Sequence, residues 1–346
     1  MAKRGVLLVN LGTPAAPTPG AVRRYLRAFL GDPRVLDGPA WLRWLLLHVV
    51  ILPRRPRRSA EAYARIWTDA GSPLLVHGER LRQQLAERVG GAMPVALAMR
   101  YGVPSIRDRL RSLAEVGVDR VTVMPLFPHY ATSSWGSAVA NVYAEAARCW
   151  NTPSLQVVPP YFDHPDYLEL LAARVRPLLT ELRPDKVVIS FHGLPVRQLR
   201  KSDPAHGAYC LRVPGCCERM RPENGWCYRA QCMATARGVA ARLRLAPDHY
   251  LITFQSRLGR EPWIEPYTDV TVRTLARQGI RRVVILSPSF VADCLETLEE
   301  IGILAARDFV RHGGERLVLV PALNSDPAWV DVVAALITNA CREKNV

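Results

Sequence analysis

The stretch VVISFHGLPVR, Val187–Arg197, decides the fold. Its apolar run is that of a buried strand, and the run ends on a histidine followed at once by Gly and Pro, which turn the chain. A histidine at such a strand end points toward a cleft rather than into a sheet, because ligands of open α/β sheets bind outside the carboxyl ends of the strands. Taken alone, a histidine such as His192 there is more often a hydrogen-bonded structural residue than a ligand.

Working outward, short apolar runs alternate with longer Arg/Ala/Leu stretches of helical period, the pattern of parallel strands joined by crossover helices. The expected strands are Val6–Asn10, Val95–Met99, Val121–Met124, Val187–Phe191, Leu251–Phe254, Val283–Leu286 and Leu317–Val320; AVRRYLRAFL, SIRDRLRSLAEVG and DVTVRTLARQGI read as helices. The chain also resembles itself. GVLLVNLGTP matches KVVISFHGLP, and DRVTVMPLFPHYATS matches RRVVILSPSFVADCL. The fold class is therefore α/β, with two similar Rossmann-like domains, 1–160 and 161–346, whose parallel sheets face a shared cleft.

At 346 residues and 49% apolar content the chain has enough material for a sizeable core. The net charge of +15 rests almost entirely on Arg, but the basic residues are spread along the chain, which argues against nucleic acid as a partner. MAKRGVLLVNLGTP has too short an apolar run for a secretory signal, so the expected location is cytoplasmic. WLRWLLLHVVIL, Trp41–Leu52, is too short to span a bilayer and is followed by PRRPRR. It reads either as a lip resting on an anionic membrane face or as a core helix ending at Pro53.

In SPSFVADCLETLEE, Ser287–Glu300, a helix starting near Ala292 would put Asp293, Glu296 and Glu300 on one face. Such an acidic ridge either binds a hard divalent cation and takes up protons or merely caps a helix start. FQSRLGREPWIEPYTD, Phe254–Asp269, offers Trp263 as a flat apolar wall beside a cleft. GxGxxG after the first strand, GxxxxGK[ST] and HExxH are all absent, which removes most support for a dehydrogenase or ATPase.

Five of the eight cysteines, Cys210, Cys216, Cys217, Cys227 and Cys232, crowd into one segment. In a cytosolic chain this favours a metal site over disulfides, and four thiolates out of five serve either zinc or a [2Fe-2S] cluster. Cys149, Cys294 and Cys341 stand apart and read as small apolar residues.

VLLVNLGTPAAPTPGAVRRYLRAFLGDPRVLD, SFHGLP, FQSRLGREPWIEPYTD and FVADCLETLEEI together resemble the ferrochelatases over nearly the whole chain. The resemblance implies a lyase that inserts Fe²⁺ into protoporphyrin IX with release of two pyrrole protons, the terminal step of haem synthesis. It implies that His192 is the proton acceptor or metal ligand and Glu296 its partner carboxylate, with Asp293 and Glu300 extending an acidic line. Arg100, Tyr101, Trp263 and Ser256 would bind the porphyrin. Cys294 stands where animal members commonly carry His and bacterial ones tolerate Cys. The C-terminal NACREKNV lacks the cysteines that hold a [2Fe-2S] cluster in some relatives, so the internal segment, an insertion at about 203–232 similar to those of some bacterial members, is expected to hold the [2Fe-2S] cluster, with zinc as the other occupant. Coproporphyrin III as substrate, cobalt as metal, and a non-catalytic porphyrin carrier are the competing readings.

Overall fold

The computed structural model describes residues 3–91, 93–259 and 261–342; Arg260 of the Trp263 motif and the last four residues of NACREKNV lie outside them. The chain divides into two compact units. One runs through Phe127 and adds Thr132–Pro159 and the chain from Asn324 onward; the other comprises Pro128–Ala131 and Pro160–Leu323.

The first unit is built on β1 (Arg4–Gly12), β2 (Val95–Tyr101), β3 (Arg120–Pro125) and β4 (Ser154–Val157). They form a parallel sheet of order β2-β1-β3-β4. Val6, Leu7, Leu8 and Val9 are inaccessible to solvent, as expected of a central parallel strand covered on both faces. β4, which the sequence reading missed, is an edge strand of half-buried residues whose sequence SLQV carries little apolar signal. Helix boundaries follow local chemistry. Thr18 accepts the Ala21 amide ahead of Pro19, and Ser105 accepts the Asp108 amide, so each satisfies a donor at a helix start.

The helix Pro327–Arg342, assigned to the C-terminal domain, belongs to the first unit: it packs on the helix Pro73–Arg88 and on β3 and β4, with Cys341 Sγ 3.3 Å from Thr122 Oγ1. An apolar helix face carries no label saying which of two similar sheets it covers. The Trp41–Leu52 stretch does not end at Pro53. It is α-helical over Ala40–Leu45, π-helical over Leu46–Ile51 and α-helical again over Leu52–Ile66, a continuous run in which Pro53, with no N–H to donate, falls directly after the π-turn.

The second unit repeats the plan. β5 (Lys186–His192), β6 (Tyr250–Gln255), β7 (Arg282–Leu286) and β8 (Arg316–Leu319) form a parallel sheet of order β6-β5-β7-β8. The internal resemblance read from the sequence is thus a topological one, with β1 and β5 in the same place in their sheets. Its glycines correspond too. A Cβ on Gly12 would meet the Tyr101 carbonyl at the end of β2, and one on Gly193 would lie 2.9 Å from the Gln255 carbonyl at the end of β6. The glycine that closes β1 and the one that follows β5 are there because the neighbouring backbone leaves no room for a side chain.

Candidate active site

His192 closes β5, one residue before that tight approach. Its Nδ1 lies 2.6 Å from the Gly193 carbonyl oxygen. A carbonyl only accepts, so Nδ1 carries the hydrogen and Nε2 presents its lone pair. Burial pushes the pKa below the ordinary histidine value, against the opposing charge of Glu296 and the Gly193 hydrogen bond, so the ring is neutral at pH 7. Trp263 and Phe290 flank it, with ring centroids 6.5 and 6.2 Å away. Trp263 is itself fixed by its indole N–H, which donates to the Leu258 carbonyl at 2.9 Å.

The acidic residues are arranged differently from the expected ridge. The helix after β7 starts at Leu295, not near Ala292, and it is π-helical over Leu295–Ala305, a rare form that is frequent at functional sites. The wider i→i+5 turn keeps residues four apart close together but throws residues three apart onto different faces. Glu296 and Glu300 therefore remain neighbours, while Asp293 precedes the helix, is buried, and accepts the Thr297 hydroxyl at 3.0 Å and the Ala322 amide at 3.4 Å. Asp293 holds the helix start and does not extend the acidic line from the same face. Ile301 and Ala305 of the same helix sit in the core with Val283, Ile285 and Leu317, which anchors the segment that carries the carboxylates.

Glu300 is clamped by Ser256, whose amide and hydroxyl donate to its two oxygens at 2.8 and 2.5 Å. Ser256 adopts φ +66, a left-handed conformation that is costly for serine and points both donors at one carboxylate. Burial, aided by the nearby charge of Glu296, raises the Glu300 pKa to about 7. The Ser256 side chain expected at the substrate is thus engaged with Glu300.

Arg100 and Tyr101 end β2 in the first unit. Asp32 Oδ2 accepts from Arg100 Nη2 at 2.6 Å, from the Tyr101 hydroxyl at 2.8 Å and from the Ser137 hydroxyl at 2.6 Å. Tyr101 is only 2% exposed; its phenol is a buried strut for Arg100, whose guanidinium lies 4.5 Å over its ring. Asp32 and Ser137, the partners that fix this pair, were not singled out from the sequence, because residues 32, 100 and 137 meet only through the fold.

The five clustered cysteines are all buried. Cys216 and Cys217 sulfurs lie 3.6 Å apart, and the Cys227 thiol contacts those of Cys210 and Cys217. Cys232, wholly buried, pairs instead with the Tyr228 hydroxyl. Thiolates are the donors that zinc and [2Fe-2S] clusters take, so the residue types fit the expectation. Among the described residues no group of three or more His, Cys, Asp or Glu side chains is already disposed as a metal cage.

The chain matches the family model described as Ferrochelatase over residues 3–341. It is 48% identical over 337 residues to a protein of Opitutus terrae named Ferrochelatase, covering 96% of each chain. It is 46% identical over 334 residues to one of Coxiella burnetii, covering 96% of this chain and 93% of that one, and 43% identical over 341 residues to one of Pseudomonas entomophila, covering 98% and 100%. Among solved structures, SirB from Bacillus subtilis with Fe³⁺ superposes with a TM-score of 0.50 at 11% identity over 99% of this chain and 96% of that one, a likeness of fold. A neutral histidine beside paired glutamates on a π-helix, at the end of a strand in an α/β unit, is thus found in a sequence that aligns with these enzymes from end to end, and the chain belongs to the ferrochelatase family, porphyrin metal chelatases of the lyase class.

Proposed function

We propose that this chain inserts Fe²⁺ into protoporphyrin IX to give protohaem, the terminal step of haem biosynthesis. The observation that carries the reading is the neutral His192, its Nε2 lone pair open, next to the charge of Glu296. Two N–H bonds of the porphyrin must break as two Fe–N bonds replace them, and two protons leave with their former bonding electrons left on nitrogen. His192 Nε2 accepts a pyrrole proton, and Glu296 stabilises the imidazolium so formed. Glu300, with a pKa near neutrality, takes the proton onward. Trp263 supplies a rigid wall against which binding energy from the rest of the ring holds the macrocycle bent, exposing the nitrogen lone pairs. Arg100, held by Asp32 and Tyr101, is the cation for a porphyrin carboxylate.

Cys210, Cys216, Cys217 and Cys227 hold a [2Fe-2S] cluster in this reading, with zinc as the alternative occupant; Cys232 is left to Tyr228. Iron enters and remains Fe²⁺, so a cluster supplies no electrons to the insertion and serves to tie its segment together.

The protein works in the cytoplasm with its tryptophan lip on an anionic membrane face. None of Ala40–Leu45 is buried, Trp41 and Trp44 are 70% and 60% exposed, and Arg54, Arg55, Arg57 and Arg58 follow. Among the described residues no helix is long and apolar enough to cross a membrane.

The test is an anaerobic assay of purified protein with Fe²⁺ and protoporphyrin IX, run beside coproporphyrin III, following loss of the free-base spectrum. Faster turnover of coproporphyrin III would reassign the substrate. Binding of both without turnover would make the protein a carrier.

A further inference from the structure

Gln255, the last residue of β6, lies opposite His192 in the β5–β6 pairing and is 3% exposed. Its side-chain oxygen accepts the Ser190 hydroxyl at 2.9 Å and the Ser287 hydroxyl at 3.4 Å. Its side-chain nitrogen lies 2.9 Å from the main-chain oxygen of Glu296 and 3.5 Å from Glu300 Oε2. The Glu296 carbonyl and the Glu300 carboxylate only accept, so the NH₂ must face the π-helix and the amide has one permitted orientation. Its backbone oxygen meanwhile accepts the Gly193 amide at 2.7 Å, immediately beyond His192. One residue thus joins β5 (through Ser190) and the turn after it (through Gly193), the residue after β7 (through Ser287), and the π-helix at the Glu296 main chain and the Glu300 carboxylate.

We infer that Gln255 is a positioning residue for metal insertion, its amide fixing Glu296 and Glu300 relative to His192. The inference rests on the chelatase reading above. The need is physical. A π-helix has poorer intrinsic geometry than an α-helix and is held in place by outside contacts, and a proton path tolerates little misplacement of its members. A donor on the Glu296 carbonyl fixes the main chain that carries the Glu296 side chain, and the same amide, 3.5 Å from Glu300 Oε2, restrains that carboxylate as well.

The experiment compares wild type with Gln255→Met, which keeps the length and removes both polar atoms, and with Gln255→Glu, which keeps the acceptor for Ser190 but loses the donor. Both are expected to lower kcat about tenfold to a hundredfold with the KM for porphyrin within about twofold, because ring binding does not depend on the amide. The acid limb of kcat/KM should move to higher pH, since Glu300 loses a donor to its ionised form; a purely structural role would leave that limb in place. If Gln255→Met does not fold, Ser190→Ala, which frees the other end of the amide, is expected to give the same shift of the limb with a smaller loss of kcat. Unchanged kcat and pH profile in the folded variants would overturn the inference. No turnover by the wild type would instead overturn the proposed function.

Discussion

Ser256 meets Glu300 through both of its donors, the backbone amide on one carboxylate oxygen at 2.8 Å and the hydroxyl on the other at 2.5 Å. These bonds favour the ionised carboxylate, yet burial and the neighbouring Glu296 win, and the pKa stands at about 7. A group that receives protons must be ionised first, so kcat/KM is expected to rise with pH through neutrality. Ser256→Ala removes a bond to the charged form and should move this limb upward; Glu300→Gln should abolish it. A pH–rate profile identical in all three proteins would rule out Glu300 as a proton acceptor.

His192→Ala removes the imidazole that ends β5. Turnover is expected to fall by about 10²–10⁴-fold, while porphyrin still quenches tryptophan fluorescence on binding. Near wild-type turnover in this variant would remove His192 from the mechanism.

His129 gives a stability signature. Thr235 Oγ1 donates to the Phe162 carbonyl at 2.7 Å, so it accepts from His129 Nε2 at 2.9 Å, and Nδ1 has no hydrogen-bond partner. Burial among Phe162, Phe191 and Tyr228 depresses the pKa to about 3. The folded state therefore prefers the neutral ring: its contribution is intact above the unfolded value of 6.5 and is lost as pH falls toward 3, by about 1.4 kcal/mol per pH unit. The urea midpoint of wild type should drop between about pH 8 and pH 5 by more than that of His129→Gln. Equal drops would assign the acid sensitivity elsewhere.

Cys227 contacts two other thiols and Cys232 contacts none of them as closely as it does Tyr228. Cys227→Ser is therefore expected to lose bound iron and inorganic sulfide together with the visible absorption, and Cys232→Ser to retain all three. Zinc bound in place of iron would establish the other occupant. Absence of any metal from wild type purified anaerobically would leave the thiols without a metal-binding role.

The lip predicts sedimentation with anionic vesicles that weakens as salt rises and is lost in the Trp41→Ser, Trp44→Ser double variant, with turnover of a detergent-dispersed porphyrin unchanged. Binding that ignores both changes would place the membrane contact elsewhere.

Alternation of apolar runs and helical periods was enough to locate seven strands, the doubled architecture and His192, because these depend on local pattern and on a Gly that permits a close backbone approach. The edge strand Ser154–Val157 escaped, since an edge needs no fully apolar face. Glu296 and Glu300 were found, but the ridge through Asp293 was drawn with α-helical spacing, and nothing local in LETLEEIGILA announces a π-turn. Local pattern fixes which side chains of the right chemistry exist and at which strand ends they stand. Which of them meet is settled by the fold. Tyr101 is buried under Asp32, Ser256 is bound to Glu300, Gln255 joins two strands to the π-helix, and the last helix covers the first sheet. Those pairings join residues tens to hundreds of positions apart, and their partners are chosen by packing and by the need to satisfy buried polar groups, neither of which has a period that a sequence can display.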